Sequence, residues 1–104
     1  MTANANQQRG EAAFKVGSQQ LVLRPSFENL VAAESEIGSL FALVERASQG
    51  ALTLAEIAAL LWHCAPKDKR PARDEFGRAV LECGLVAATR PVRAILAQVL
   101  QGQT

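Results

Sequence analysis

The chain has 104 residues, of which 49% are hydrophobic and 20% charged, and its formal net charge is +1. That length suits one domain able to bury a core without staples, and the composition excludes disorder along most of the chain. A near-neutral charge supplies no long-range field toward nucleic acid or anionic lipid, and two cysteines, Cys64 and Cys83, are too few for a disulfide framework.

Residues 1–8 are small and polar and read as a disordered leader, with one domain over 9–104. No basic segment followed by an apolar run marks a secretion signal, and no apolar stretch reaches the roughly 20 residues of a bilayer span. A cytoplasmic location with reduced thiols is the expectation.

Apolar residues then alternate at Ala12, Phe14 and Val16, and again at Leu21 and Leu23. Gly17-Ser18 between them suits a type II′ hairpin turn, because glycine supplies the positive φ at its first central position. That register sets Phe14 opposite Leu21 and Ala12 opposite Leu23. These four share one face, and Lys15, Gln20 and Arg24 share the other. A lone hairpin is marginal in water, so its apolar face must pack on helices or on a partner.

Pro25 ends the second strand, and Ser26 can cap a helix carrying Phe27, Leu30, Val31 and Ile37 on one face. Gly38 stops it, and Ser39 can cap a second helix with the stripe Leu40, Leu43, Val44 and Ala47, closed by Gly50. Thr53 and Glu56 have capping-box spacing for a third helix, flanked by Leu52 and Ile57 as a hydrophobic staple. Its inward stripe is Leu54, Ile57, Ala58, Leu61 and Ala65, widened by Leu60, Trp62 and Cys64. A helix apolar over most of its circumference is either central to the core or covered by another chain. Pro66 ends it. After the loop Pro66 to Pro71, a fourth helix from about Ala72 to Cys83 turns Phe76, Ala79, Val80 and Cys83 inward. The last helix bears Val92, Ile95, Leu96, Val99 and Leu100 at helical spacing. Pro91 either opens it or kinks a longer helix from Leu85. The fold class is therefore α+β: an N-terminal β-hairpin followed by a bundle of about five short helices.

No constellation supports catalysis, so no enzyme and no cofactor is expected. His63 and Cys64 are adjacent on a helix and diverge by about 100°, which keeps a nucleophile from its base. A zinc site from His63, Cys64 and Cys83 lacks a fourth ligand and any paired cluster. Phosphate-loop and dinucleotide glycine patterns are absent from the sequence. Lys67, Lys69, Arg70 and Arg73 form a basic loop that reads first as a solvated loop and next as a docking site for an acidic partner. The helix preceding it is too apolar to present a row of base-reading residues, so nucleic acid ranks low among partners. Trp62, the single tryptophan, reads first as core and next as an interface anchor.

The ordered run Arg9-Gly10-Glu11, Ala12 to Val16, Gly17, Leu21-Val22-Leu23-Arg24, Ser26-Phe27-Glu28-Asn29-Leu30, Glu34-Ser35-Glu36, Gly38-Ser39-Leu40, Val44-Glu45-Arg46, Gly50, Leu54 and Glu56-Ile57-Ala58 resembles one family. It is the family of small tail proteins of gene transfer agents and related tailed phages, grouped with tail assembly chaperones and also labelled tail tube proteins. The resemblance spans Arg9 to about Trp62 closely and the later helices in outline; it does not extend to the Pro66 to Pro71 loop, onto which no function is carried. It implies a non-enzymatic role in building a phage, prophage or gene-transfer-agent tail in the bacterial host cell, with the tape-measure and tail tube proteins as partners. Tube subunits in related systems look like β-sandwiches joined into rings, so one hairpin and about five helices favour a chaperone or adaptor over a structural tube component. A helical nucleic-acid-binding regulator is a further alternative. Self-association and retention in the particle stay open. The expected contact residues are Leu60, Trp62, Leu96, Val99 and Leu100, with Lys67, Lys69, Arg70 and Arg73 as a second docking site.

Overall fold

A computed structural model describes residues 11–102; the expected leader over 1–8 lies outside them. Strands β1 (Ala12–Val16) and β2 (Gln19–Leu23) pair antiparallel, with Phe14 opposite Leu21 and Ala12 opposite Leu23. Gly17 has φ 63°, and among the described residues no other residue type adopts positive φ, so Ser18 keeps negative φ. That combination is the type II′ requirement. Phe14, Leu21 and Leu23 are buried, and β1 packs on two helices of the bundle, where the Phe14 ring stacks on Phe76 at 5.2 Å between centroids. Val22, on the opposite face, is also buried: the chain around Ala65, Pro66 and the start of the first helix flanks it.

Helices α1 (Phe27–Ile37), α2 (Leu40–Ser48) and α3 (Leu54–Cys64) start on the side-chain caps Ser26, Ser39 and Thr53. At α3 both halves of the capping box form: Thr53 Oγ1 accepts from the Glu56 amide, and the Glu56 carboxylate accepts from the Thr53 amide. Glu34 adds an unforeseen cap, its carboxylate accepting from the Leu40 amide at 3.0 Å. Ala65, held extended ahead of Pro66, ends α3, and its neighbour Cys64 offers its carbonyl to the Arg24 amide at 2.8 Å. The end of β2 is thereby pinned to the end of α3. After a 3-10 turn at Lys67–Lys69 come α4 (Arg73–Cys83) and α5 (Leu85–Gln101). Gly84, at φ 89°, separates them, a conformation costly for any side chain with a Cβ. Of the two sequence alternatives for Pro91, the long helix is the one formed, with Pro91 inside it and buried.

Helix α3 is the hub, packing on α1, α4 and α5. Ile57 through Leu61 are all buried, so its apolar circumference is explained by its central place. Four expectations about helix faces need correction. Phe27 and Val31 project from the solvent side of α1, where Ala33 is the buried residue. Leu54 sits on the exposed first turn of α3, ahead of the point where neighbours enclose it. Cys83, in the last turn of α4, is exposed as the chain turns away at Gly84.

Candidate protein-interaction surface

The residues expected at an interface divide sharply. Leu60 is 0% exposed and Leu96 is also buried, both within the core, because α3 is enclosed and α5 lays this stripe against it. Val99 is half-buried against the same core, and only Leu100 projects into solvent. Leu60 and Leu96 are therefore packing residues in this chain.

Trp62 is half-buried and fully engaged. Its Nε1 donates to the Pro71 carbonyl at 3.0 Å, and the guanidinium carbons of Arg70 and Arg73 lie 4.4 and 4.2 Å from its ring centroid. It fastens the loop 66–71 and the start of α4 onto α3.

The basic loop divides in the same way. Lys67 and Lys69 are exposed on the 3-10 turn. Arg70 folds inward and donates to the carbonyls of His63 and Ala65, both at 3.0 Å, satisfying acceptors left over at the end of α3. Arg73 opens α4 and grips Glu36 of α1 with both terminal nitrogens, at 2.7 and 2.8 Å. His63 Nε2 shares that carboxylate at 2.7 Å. The Arg73 hydrogen bonds, reinforced by His63, hold the Glu36 carboxyl down at about 2. Half of the supposed docking loop is thus internal fastening, because a guanidinium beside an aromatic ring and free carbonyls loses little by turning in. Cys64 is enclosed, and burial pushes its thiol up to about 12, so it is a packing group rather than a reactive one.

The surface with spare apolar area lies elsewhere, around the first turn of α3 and the α4–α5 junction. Leu54 and Leu81 are exposed and line a groove of about 470 Å³ together with Ala55, Ala58 and Gly77 and with the charged Glu36, Arg73, Asp74 and Arg78. On the other side of the α3 start, Leu52, Ile57 and the exposed Leu85 line a second groove of about 260 Å³. Val86, next to Leu85, is 87% exposed. Three of the exposed large aliphatic residues, Leu54, Leu81 and Leu85, thus gather at one end of the helical bundle, where a partner's apolar ridge can remove them from water. The grooves run between helices, which suits an amphipathic helix as the inserted element.

Sequence reasoning missed Leu81, Leu85 and Val86, together with Phe41 on α2. For Leu81, Val86 and Phe41 the available signal was their position off the stripes: a large apolar side chain outside its helix's own buried face has no partner within that helix pair. Leu85 instead shares the spacing of the buried Ala88 and Val92 and is exposed because it sits on the first turn of α5. Leu54 was hidden in the same way, since it fits the stripe of a helix whose first turn stands clear of its neighbours.

Among the described residues no helix is long and apolar enough to cross a membrane. Comparison with curated proteins gave no match, and neither did comparison with solved structures. A family model described as "Phage tail tube protein, GTA-gp10" matches residues 9–102. That match covers the hairpin and all five helices, including the later helices that resembled the family only in outline. The chain therefore belongs to this family of tail proteins of phages and gene transfer agents.

Proposed function

We propose that the chain is a non-catalytic tail-assembly chaperone or adaptor that holds a helical segment of the tape-measure protein against the apolar band at the α3–α4–α5 end. The observation carrying this reading is the clustering of Leu54, Leu81 and Leu85 at that end, while the hairpin's own apolar face is already used inside the chain. A tape-measure protein is long, helical and apolar, and aggregates unless covered. Many small domains along it, each binding modestly, suffice because the sites repeat on one chain. Assembly of this kind takes place in the host cytoplasm, with the tail tube protein as second partner.

The test is co-expression with the tape-measure protein of the same tail, followed by affinity capture. Co-purification of soluble tape-measure protein supports the reading; an insoluble tape measure and an empty capture contradict it.

The family's description favours a second reading, a structural component of the tube itself. Against it, the described residues hold one sheet of two five-residue strands, little material for a β-walled ring. A protein inventory of finished particles separates the two: a tube subunit is retained in many copies, and a chaperone is absent.

A further inference from the structure

Two helices leave an outer face uncovered, and the two faces differ in character. On α1, Phe27, Val31 and Ser35 follow one another at i, i+4 and i+8 along the solvent side, with Phe27 79% exposed and Glu28 beside it. Three glutamates and no basic residue occur in α1. On α5, Val86, Arg90, Arg93, Ala97 and Leu100 form one exposed stripe at helical spacing, and this helix has two arginines and no acid. Among the described residues, none of Glu28, Arg90 and Arg93 takes part in an ion pair. Helices α1 and α5 each pack on α3, and neither is packed closely on the other.

We propose that the α1 face of one copy, Phe27, Glu28 and Val31, docks on the α5 face of the next copy, Val86, Arg90, Arg93 and Leu100, giving a head-to-tail array of this chain. Charge decides the occupant. Pairing α5 with its own twofold mate would set arginines against arginines, and pairing α1 with itself would set Glu28 against Glu28. Placing α1 against α5 opposes acid to base and covers apolar side chains on both sides. Because the two patches differ, the contact is heterologous. It does not close as a twofold dimer and adds copies in one direction. An 11-residue helix presents far less than the roughly 800 Å² per partner of a standard interface, so each contact is weak and counts mainly when copies are crowded. Crowding on one long partner is what the proposed chaperone role supplies, but the contact itself does not depend on that role.

Sedimentation equilibrium of the purified full chain at low salt tests this without any tail partner. The wild-type mass should rise with concentration beyond that of a dimer. Phe27→Asp, which removes the α1 face, and Arg90→Glu, which removes the α5 face, should each stay monomeric. Mixed in equal amounts they should form a 1:1 heterodimer and nothing larger, since each variant keeps the face the other lacks. Both positions are exposed, and circular dichroism checks their folding; Glu28→Arg replaces Phe27→Asp if that variant does not fold. A wild-type chain that stays monomeric at every concentration overturns the proposal, even if Phe27→Asp weakens tape-measure capture, which would assign the α1 face to that partner. A self-associating wild type whose two variants fail to pair in the mixture overturns it as well. Neither failure touches the outcome of the capture experiment.

Discussion

Arg73 and Glu36, 37 positions apart in the chain, meet through two parallel hydrogen bonds of 2.7 and 2.8 Å and tie the start of α4 to the end of α1. The same guanidinium lies over Trp62 of α3, so three helices converge on one arginine. Such a bidentate pair fixes geometry as well as charge, which a lysine at position 73 would not reproduce.

Acid should loosen this junction. Glu36 and Glu56 are both held down at about 2, the first by Arg73 and His63 and the second by Arg46 and the Thr53 amide. A carboxylate with a lowered folded-state pKa stabilises the fold above its ordinary value of 4.5, and that contribution fades as pH falls toward 2. Thermal melts between pH 6 and pH 2 (about, bracketing the window) should show Tm falling on the acid side. Glu36→Gln should flatten that fall, because the variant has no proton to take up there. An equally steep fall in Glu36→Gln would contradict the assignment.

Trp62→Ala should destabilise the chain by about 2–3 kcal/mol, through lost ring packing and the lost contact with two guanidinium groups. Trp62→Phe keeps a ring but not the hydrogen bond to Pro71, and should cost about 1 kcal/mol. Urea denaturation followed by far-ultraviolet circular dichroism gives both values. Proteolysis should cut the loop 66–71 faster in the alanine variant, since that loop is fastened through this side chain.

Leu60→Ala and Leu100→Ala should behave oppositely. Leu60 is fully enclosed, so truncation leaves a cavity and costs about 2–5 kcal/mol. Leu100 is exposed, and its truncation should stay within about 0.5 kcal/mol. Comparable losses in the two would mean that the end of α5 is covered in solution.

The local grammar of the fold was legible in the sequence because its signals are short-range. Gly17-Ser18 fixed the turn and hence the register; Ser26, Ser39 and Thr53 marked three helix starts; Pro66 marked an end. Helical spacing also picked the residues able to share a face. It could not say which faces meet. Phe27 and Val31 fit the stripe of α1 as well as Leu30 does, yet α3 covers only the side bearing Leu30, Ala33 and Ile37. The fate of the arginines was equally hidden: Arg70 turns toward carbonyls that become free only because α3 stops at Cys64, and Arg73 finds a carboxylate from another helix. The candidate site suffered most. Reading Leu60 and Leu96 as contact residues confused apolar abundance with exposure, and the aliphatic cluster at the α4–α5 junction emerges only once Leu54, Leu81 and Leu85 are brought to one end.

The most direct measurement is capture of the tape-measure protein by the wild type and by Leu81→Asp, co-expressed side by side. Leu81 is exposed at the larger groove, so the variant should fold with an unchanged Tm. If the apolar band holds the tape measure, the wild type brings it down in soluble form, and the variant loses it because a desolvated carboxylate in an apolar contact costs several kcal/mol (about 2–4). Equal capture by a folded Leu81→Asp chain, or none by the wild type, would contradict the account.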